Sequence, residues 1–285
     1  MTVACFGRAG VAWRDACRQS QAVFLKWRWW LAICCVIPFW GTMSGQAVAN
    51  SLNEATERYR PLIIKEIGVA LNGVRELRES ISRSDLRAAR QAWISARAGW
   101  EQSEVFTAGF VPEFDRQIDA WPDATTGFHA IEAKLFGSSR IDVTAETDEL
   151  IAHLEDLHAK VRDMPLTPQG LLDGTVRLAY EIGESKSDGG ESRISGTSLN
   201  DMRNNVEGID IAYRTIFAQA LEAADRKLAE TIAAKIDRLR KFVPPRDLRQ
   251  LDIPALRRAS EELAVAFQNA APSIGLVRPT LEASR

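Results

Sequence analysis

His129 and Glu132 stand three residues apart in Thr125-Thr126-Gly127-Phe128-His129-Ala130-Ile131-Glu132. On a helix that spacing puts both side chains on one face. There an imidazole and a carboxylate can share one metal ion, as they do in helix-bundle metal sites. Glu101 and Glu104 repeat the spacing just after Trp100 and beside Val105-Phe106, and two like charges on one face repel unless something neutralises them. Asp119, between Ile118 and Trp121, adds an acid from a third segment. Gathered in a helical core, these groups would hold a cation that offsets their repulsion. Carboxylate oxygens with one imidazole suit iron, manganese or zinc. The absence of cysteine after residue 49, with only Met164 and Met202 there, argues against a soft copper(I) site. An H-x-x-E pair taken alone is equally a surface ion pair. His153 and His158 lie among Glu155 and Asp156, and are expected on a solvated helix face.

The elements that must position these residues read as helices almost throughout. No sustained period-2 run rich in Val, Ile and Thr occurs. A first helix is predicted over about Ser51–Ile81 from Leu52, Tyr59, Ile63, Ile67, Leu71, Val74 and Leu77. Ser84 or Asp85 can cap a second, carrying Leu86, Ala89, Trp93, Ala96 and Trp100. Gly109, Pro112, Pro122 and Gly127 break the next stretch, leaving short helical pieces at about Phe114–Trp121 and Phe128–Phe136. Further helices are predicted at about Ala145–Arg162, Gln169–Glu184, Leu199–Ala220, Ala223–Phe242 and Pro254–Ala271. A polar, glycine-containing loop runs over Ser185–Gly196. The expected fold is all-α: an antiparallel helical bundle, or two four-helix bundles stacked end to end.

Charge and cysteine are unevenly distributed. Residues 1–49 contain five basic residues against the single Asp15, all four cysteines (Cys5, Cys17, Cys34, Cys35) and five of the eight tryptophans. A long basic segment ending at Lys26-Trp27-Arg28, an apolar run from Trp29 to about Met43 and then Ala47-Val48-Ala49 form the pattern of a secretory signal peptide cut after Ala49. The run is shorter than a membrane span and is interrupted by Pro38 and Gly41. Residues 1–49 are therefore expected as a leader and residues 50–285 as one cysteine-free helical domain. That domain is large enough to fold without disulfides. The formal charge of −2 offers no basic field for nucleic acid.

At Thr126-Gly127-Phe128-His129-Ala130-Ile131-Glu132 the sequence resembles the T-G-F-H-R-I-E motif of the imelysin-like family, in its EfeO/EfeM iron-uptake branch. Trp100-Glu101-Gln102-Ser103-Glu104 resembles the family's Y-E-x-I-E, and Ile118-Asp119 its I-D. Leu166-Thr167-Pro168 followed by Leu178-Ala179-Tyr180-Glu181 resembles its L-T-P and L-L-D-E, and Asn205-Val206-Glu207-Gly208 its N-V-E-G. The resemblance covers most of residues 50–285. It implies paired four-helix bundles with a metal-binding cleft around the H-x-x-E helix. By matching positions it implies His129, Glu132, Glu101, Glu104 and Asp119 as metal ligands. A further acid is expected after the L-T-P helix, from Glu191 or Glu181, with Glu191 preferred. The chain passes from leader to helix without the cupredoxin domain of EfeO proteins, and so resembles the short EfeM form. The family's G-E-E-x-R-Y-S-H-T-D-L stretch is here Gly189-Gly190-Glu191-Ser192-Arg193-Ile194-Ser195-Gly196-Thr197-Ser198-Leu199, so Ile194, Gly196 and Ser198 replace a tyrosine, a histidine and an aspartate. Ala130 replaces the basic residue after the histidine.

The resemblance implies a periplasmic metal-binding protein without catalysis of its own. It would capture a divalent or ferric ion, iron before zinc, copper(II) or manganese, and pass it to an inner-membrane iron permease and other periplasmic uptake components. Two alternatives stand beside it. An imelysin-type metallopeptidase would need three protein ligands, an open position and a carboxylate base, whereas the chain has H-x-x-E and no H-E-x-x-H. A module binding a polysaccharide or haem-related ligand could use Arg83, Arg87, Arg90 and Arg97, although these are expected to be merely the solvated face of their helix.

Overall fold

The computed structural model describes residues 45–120, 125–243 and 248–281. The basic segment, apolar run and cysteines of the predicted leader lie outside these residues, as do Trp121, Pro122 and Pro244-Pro245. All regular structure among the described residues is helical. Helix α1 spans Gly45–Ser82, so its first turn begins before the expected Ser51 and includes Ala47-Val48-Ala49. Its buried face, from Leu52 through Tyr59, Ile63, Ile67, Val74 and Leu77 to Ile81, keeps the three-to-four-residue period read from the sequence. Pro61 lies within this helix and removes one ladder hydrogen bond. Arg60 beside it donates to the carbonyls of Val161 and Met164 at 2.7 and 2.8 Å, closing the C-terminus of α5 (Thr144–Asp163).

Asp85, not Ser84, caps α2 (Leu86–Phe110), accepting from the Ala88 amide at 2.9 Å. Two short helices follow, α3 (Pro112–Ile118) and α4 (Gly127–Glu132), and the latter runs into a π-turn at Ala133–Gly137. Thr167 caps α6 (Pro168–Glu184). Helix α7 (Ser198–Ala212) passes through a second π-turn, Tyr213–Phe217, into α8 (Ala218–Ala224). Asp225 caps α9 (Arg226–Phe242), which delays its start relative to the expected Ala223. Asp252 caps α10 (Ile253–Ala270).

Helix α2 is shared by two groups of helices. It packs on α1 and α4 on one side and on α6 and α7 on the other. Helix α5 closes against α1, and α10 and α9 close the α6–α7 side. Glycines set these crossings. A Cβ at Gly73 would lie 2.7 Å from Ala96 Cα, and one at Gly99 would lie 2.5 Å from Glu66 O, so α1 and α2 run antiparallel in direct backbone contact. A Cβ at Gly174 would lie 2.0 Å from Val105 O and one at Gly109 2.5 Å from Gly170 O, which brings α6 equally close. Gly208 makes the same approach of α7 to Gln102 O, at 2.6 Å. The polar edge of α2 is thereby held within reach of α6, α7 and the loop between them.

Candidate metal centre

One stripe of α2 carries Trp93, Arg97, Trp100, Glu101 and Glu104, and all of them are buried. Each buried tryptophan removes on the order of 200 Å² from water, worth about 5 kcal/mol. That is the same order as the several kcal/mol lost on burying an ion, so the aromatic packing can carry charge inside. Arg97 is wholly buried, its guanidinium 5.8 Å from the Trp93 ring centre and 5.3 Å from that of Phe128. This corrects the expectation of a solvated arginine face on α2. Arg90 is likewise half-buried, donating to the Leu135 carbonyl in the first π-turn at 2.7 and 2.8 Å. A basic binding stripe on α2 loses its support with them.

Arg97 bridges three acids. It pairs with Asp119 and Glu101 at close range and approaches Asp201 Oδ2 at 3.4 Å. Burial opposes the charge on Asp119, but Arg97 and then His129 outweigh it and hold that carboxyl far below its usual range. Trp100 Nε1 donates to its other oxygen at 2.8 Å. His129 Nε2 lies 3.2 Å from Asp119 Oδ1, and His129 Nδ1 lies 2.9 Å from Glu132 Oε2. Burial disfavours the imidazolium, yet Asp119 and the hydrogen bonds to both acids raise its pKa to about 9. At neutral pH the imidazole is therefore held as a cation between the two carboxylates. Glu132 Oε1 in turn accepts the backbone N–H of Ser195 at 2.8 Å.

Gly127 makes this chain of contacts possible. Its φ of +69° is left-handed, and a Cβ there would meet Ile118 O at 2.3 Å. The start of α4 is thus pressed against the end of α3, one residue before Asp119. Trp93 Nε1 pins the same turn by donating to Phe128 O at 3.0 Å.

On the far side of Glu101 the partner is Lys186. Its ammonium lies 2.9 Å from Glu101, 2.8 Å from Glu104 and 3.0 Å from Glu191, with 2 % of the side chain exposed. Asn205 Nδ2 donates to Glu101 Oε2 at 2.7 Å and Glu104 Oε2 at 2.6 Å. Burial, and then Glu101, push Glu104 well above the usual carboxylate range. Burial likewise raises Glu191 despite Lys186, and raises Asp201 to about 7 despite Arg97. Ser192 donates to Asp201.

Glu104, Asp119 and Glu191 reach a pocket of about 470 Å³, whose wall adds Asp115, Glu181 and Glu184 with Arg116 and Arg177. Burial, then Asp119 and Glu181, raise Asp115 to about 7. Oxygens of Glu101, Glu104 and Asp119 lie within 4.8 Å of one another, near enough for one cation after a small contraction. His129 and Glu132 stand behind Asp119, away from the pocket wall. Of the two acids considered after α6, Glu191 joins the Lys186 cluster while Glu181 pairs with Arg177 at 2.7 Å on the pocket wall. His153 lies 3.6 Å from Glu149 on α5. His158 is half-buried against Gly68 of α1 instead of solvated, and burial lowers its pKa.

Lys186, Asp201 and Asn205 are not among the site residues expected from the sequence, and Arg97 enters there only as part of the arginine stripe of α2. For Arg97 a signal existed: it stands four residues before Glu101 and between Trp93 and Trp100. Lys186, in a polar loop, carried none.

Comparison with known proteins agrees with this architecture. A family model described as imelysin, with a peptidase designation (Peptidase_M75), matches residues 55–125 and 123–267. An Efem/EfeO family lipoprotein of Staphylococcus aureus (strain MRSA252) is 28% identical over 243 residues, covering 80% of this chain and 84% of the relative. One from Staphylococcus haemolyticus (strain JCSC1435) is 29% identical over 204 residues, covering 68% and 70%. Among solved structures, a Parabacteroides distasonis ATCC 8503 protein described as an "iron-regulated protein A precursor" superposes with a TM-score of 0.60 at 16% identity. It covers 81% of this chain and 94% of its own, a likeness of fold.

Proposed function

The chain belongs to the imelysin family, and from that premise we propose that it is an exported metal-capture protein of an iron-uptake system, with a multivalent cation as cargo. The observation that carries this reading is the convergence of Glu101, Glu104 and Asp119 beside an acidic pocket. The names of the Efem/EfeO relatives support the iron-uptake setting. The basic segment, apolar run and Ala47-Val48-Ala49 support export to the periplasm with cleavage after Ala49. No described helix is long and apolar enough to cross a membrane. The partner in this reading is an inner-membrane iron permease.

The pocket wall draws the cation in, and the carboxylates bind it. His129 and Glu132 orient Asp119 in the cation-free protein and become available to the metal if the Asp119 contact opens. Iron is the first candidate, with zinc, copper(II) and manganese behind it. Bound metal should stabilise the fold by about 2.7 kcal/mol at a hundredfold excess over its dissociation constant. Metal analysis of protein purified from periplasm, with thermal melts in Mn²⁺, Zn²⁺ and ferric citrate, tests the reading. His129→Ala should shrink the metal-induced rise in Tm and His153→Ala should not. Equal behaviour of the two variants would overturn the site assignment. The peptidase reading, invited by the family designation, predicts casein cleavage by metal-loaded protein that Glu132→Ala abolishes.

A further inference from the structure

Lys186 already sits where a cation would neutralise the carboxylates of α2. Its ammonium contacts Glu101, Glu104 and Glu191 at 2.8–3.0 Å, and Asn205 holds Glu101 and Glu104 from the other side. A metal bound to the Glu101 and Glu104 oxygens at about 2.1 Å would lie within a few ångströms of the Lys186 ammonium, and two positive charges so close in a buried site repel strongly. The two cannot share these oxygens.

Lys186 also has somewhere to go. It follows Ser185, the C-cap of α6, at the start of the loop that carries Glu191, Ser192 and Ser195. Ser185, Glu184 and Glu181 line the neighbouring pocket, so an ammonium on a flexible four-carbon stem can exchange one set of carboxylates for another without losing its counter-charge. Arg97 has no such freedom: it is enclosed between Trp93 and Phe128 and paired with Asp119 and Glu101.

We propose that Lys186 is a tethered place-holder, whose ammonium occupies the Glu101–Glu104–Glu191 carboxylates until an incoming multivalent cation displaces it into the pocket. This rests on the metal-capture reading and adds a selection rule to it. A tethered ammonium competes at high effective concentration, and a monovalent ion gains no charge by replacing it. A divalent or trivalent ion does. Lys186 therefore sets the charge that cargo must carry.

Two measurements test the displacement. In the first, wild-type protein is treated briefly with an amine-acetylating reagent, without metal and with saturating Mn²⁺, Zn²⁺ or ferric citrate, and labelling at each lysine is read by peptide mass spectrometry. Lys186 should be protected without metal and label at least tenfold faster with the cation that raises Tm, while Lys227 and Lys241 label equally in both. A cation that raises Tm yet leaves Lys186 protected overturns the displacement and leaves the capture reading standing. If none of the three cations raises Tm or binds by calorimetry, the capture reading fails and the displacement fails with it. In the second, Lys186→Met should bind the same cation at least tenfold more tightly than wild type and should newly admit a monovalent ion such as Na⁺. Unchanged or weaker binding by a folded Lys186→Met protein overturns the proposal.

Discussion

The two sides of the buried charge cluster are neutralised by different means. On the α3–α4 side, Arg97 is fixed between aromatic rings and serves Asp119, Glu101 and Asp201. On the α6–α7 side, Lys186 reaches in from a loop to serve Glu101, Glu104 and Glu191. The first side behaves as part of the core, because its cation cannot leave without unpacking Trp93 and Phe128. The second is a contact between a helix and a lysine side chain that reaches in from the loop after α6. Glu101 touches both, so it couples a permanent charge to an exchangeable one.

The sharpest way to break this contrast is to remove each cation in turn. Arg97→Met leaves acids buried without their partner and should cost about 3–5 kcal/mol in urea denaturation. Lys186→Met should cost less than Arg97→Met in the same measurement. Glu104 and Glu191 have raised pKa values and can take up a proton when the ammonium is gone. Equal losses from the two variants would erase the distinction between the sides.

Titration reads His129 on the Arg97 side together with the raised carboxyls of Glu104 and Glu191 on the Lys186 side. The folded-state pKa of His129 is raised from 6.5 to about 9, so its contribution is complete below pH 6.5 and is lost as pH rises through about 9. Asp115 and Asp201, raised from 3.8 to about 7, act in the same direction, but their contribution is lost between those two values, largely below the His129 range. Metal-free protein should therefore lose stability between pH 6.5 and 9, by about 3 kcal/mol from His129. His129→Ala should flatten that slope. A slope that survives the substitution would remove His129 from the account. The smallest effect is expected at His153, outside the cluster and beside Glu149. His153→Ala should change stability by less than about 0.5 kcal/mol and leave metal binding as it was.

Helices were legible in the sequence because their apolar period and caps are local. The face of α1 from Leu52 to Leu77 and the Asp85 cap needed nothing beyond neighbouring residues. The acids were legible as a set through their spacing on α2 and α4 and through the family motif. Their partners were not. Arg97 has the sequence neighbours of a surface arginine on a helix, and its burial follows only from Phe128 folding over it. Lys186 meets Glu101 across 85 positions of sequence, a distance that no local pattern spans. Glu132 is anchored by a backbone N–H at Ser195, and a backbone group has no letter in the sequence.

The glycine contacts along α2 have a mechanical consequence. With backbone atoms touching at Gly73, Gly99, Gly109, Gly174 and Gly208, side chains larger than glycine at these crossings would force α2 away from α1, α6 and α7. The segment between α6 and α7 is built differently. Gly189 and Gly196, both at positive φ in the segment between α6 and α7, are the points about which that segment can turn. Glu191 and the Ser195 amide are thus carried by backbone whose shape depends on glycine, while the acids of α2 stand on close-packed helix.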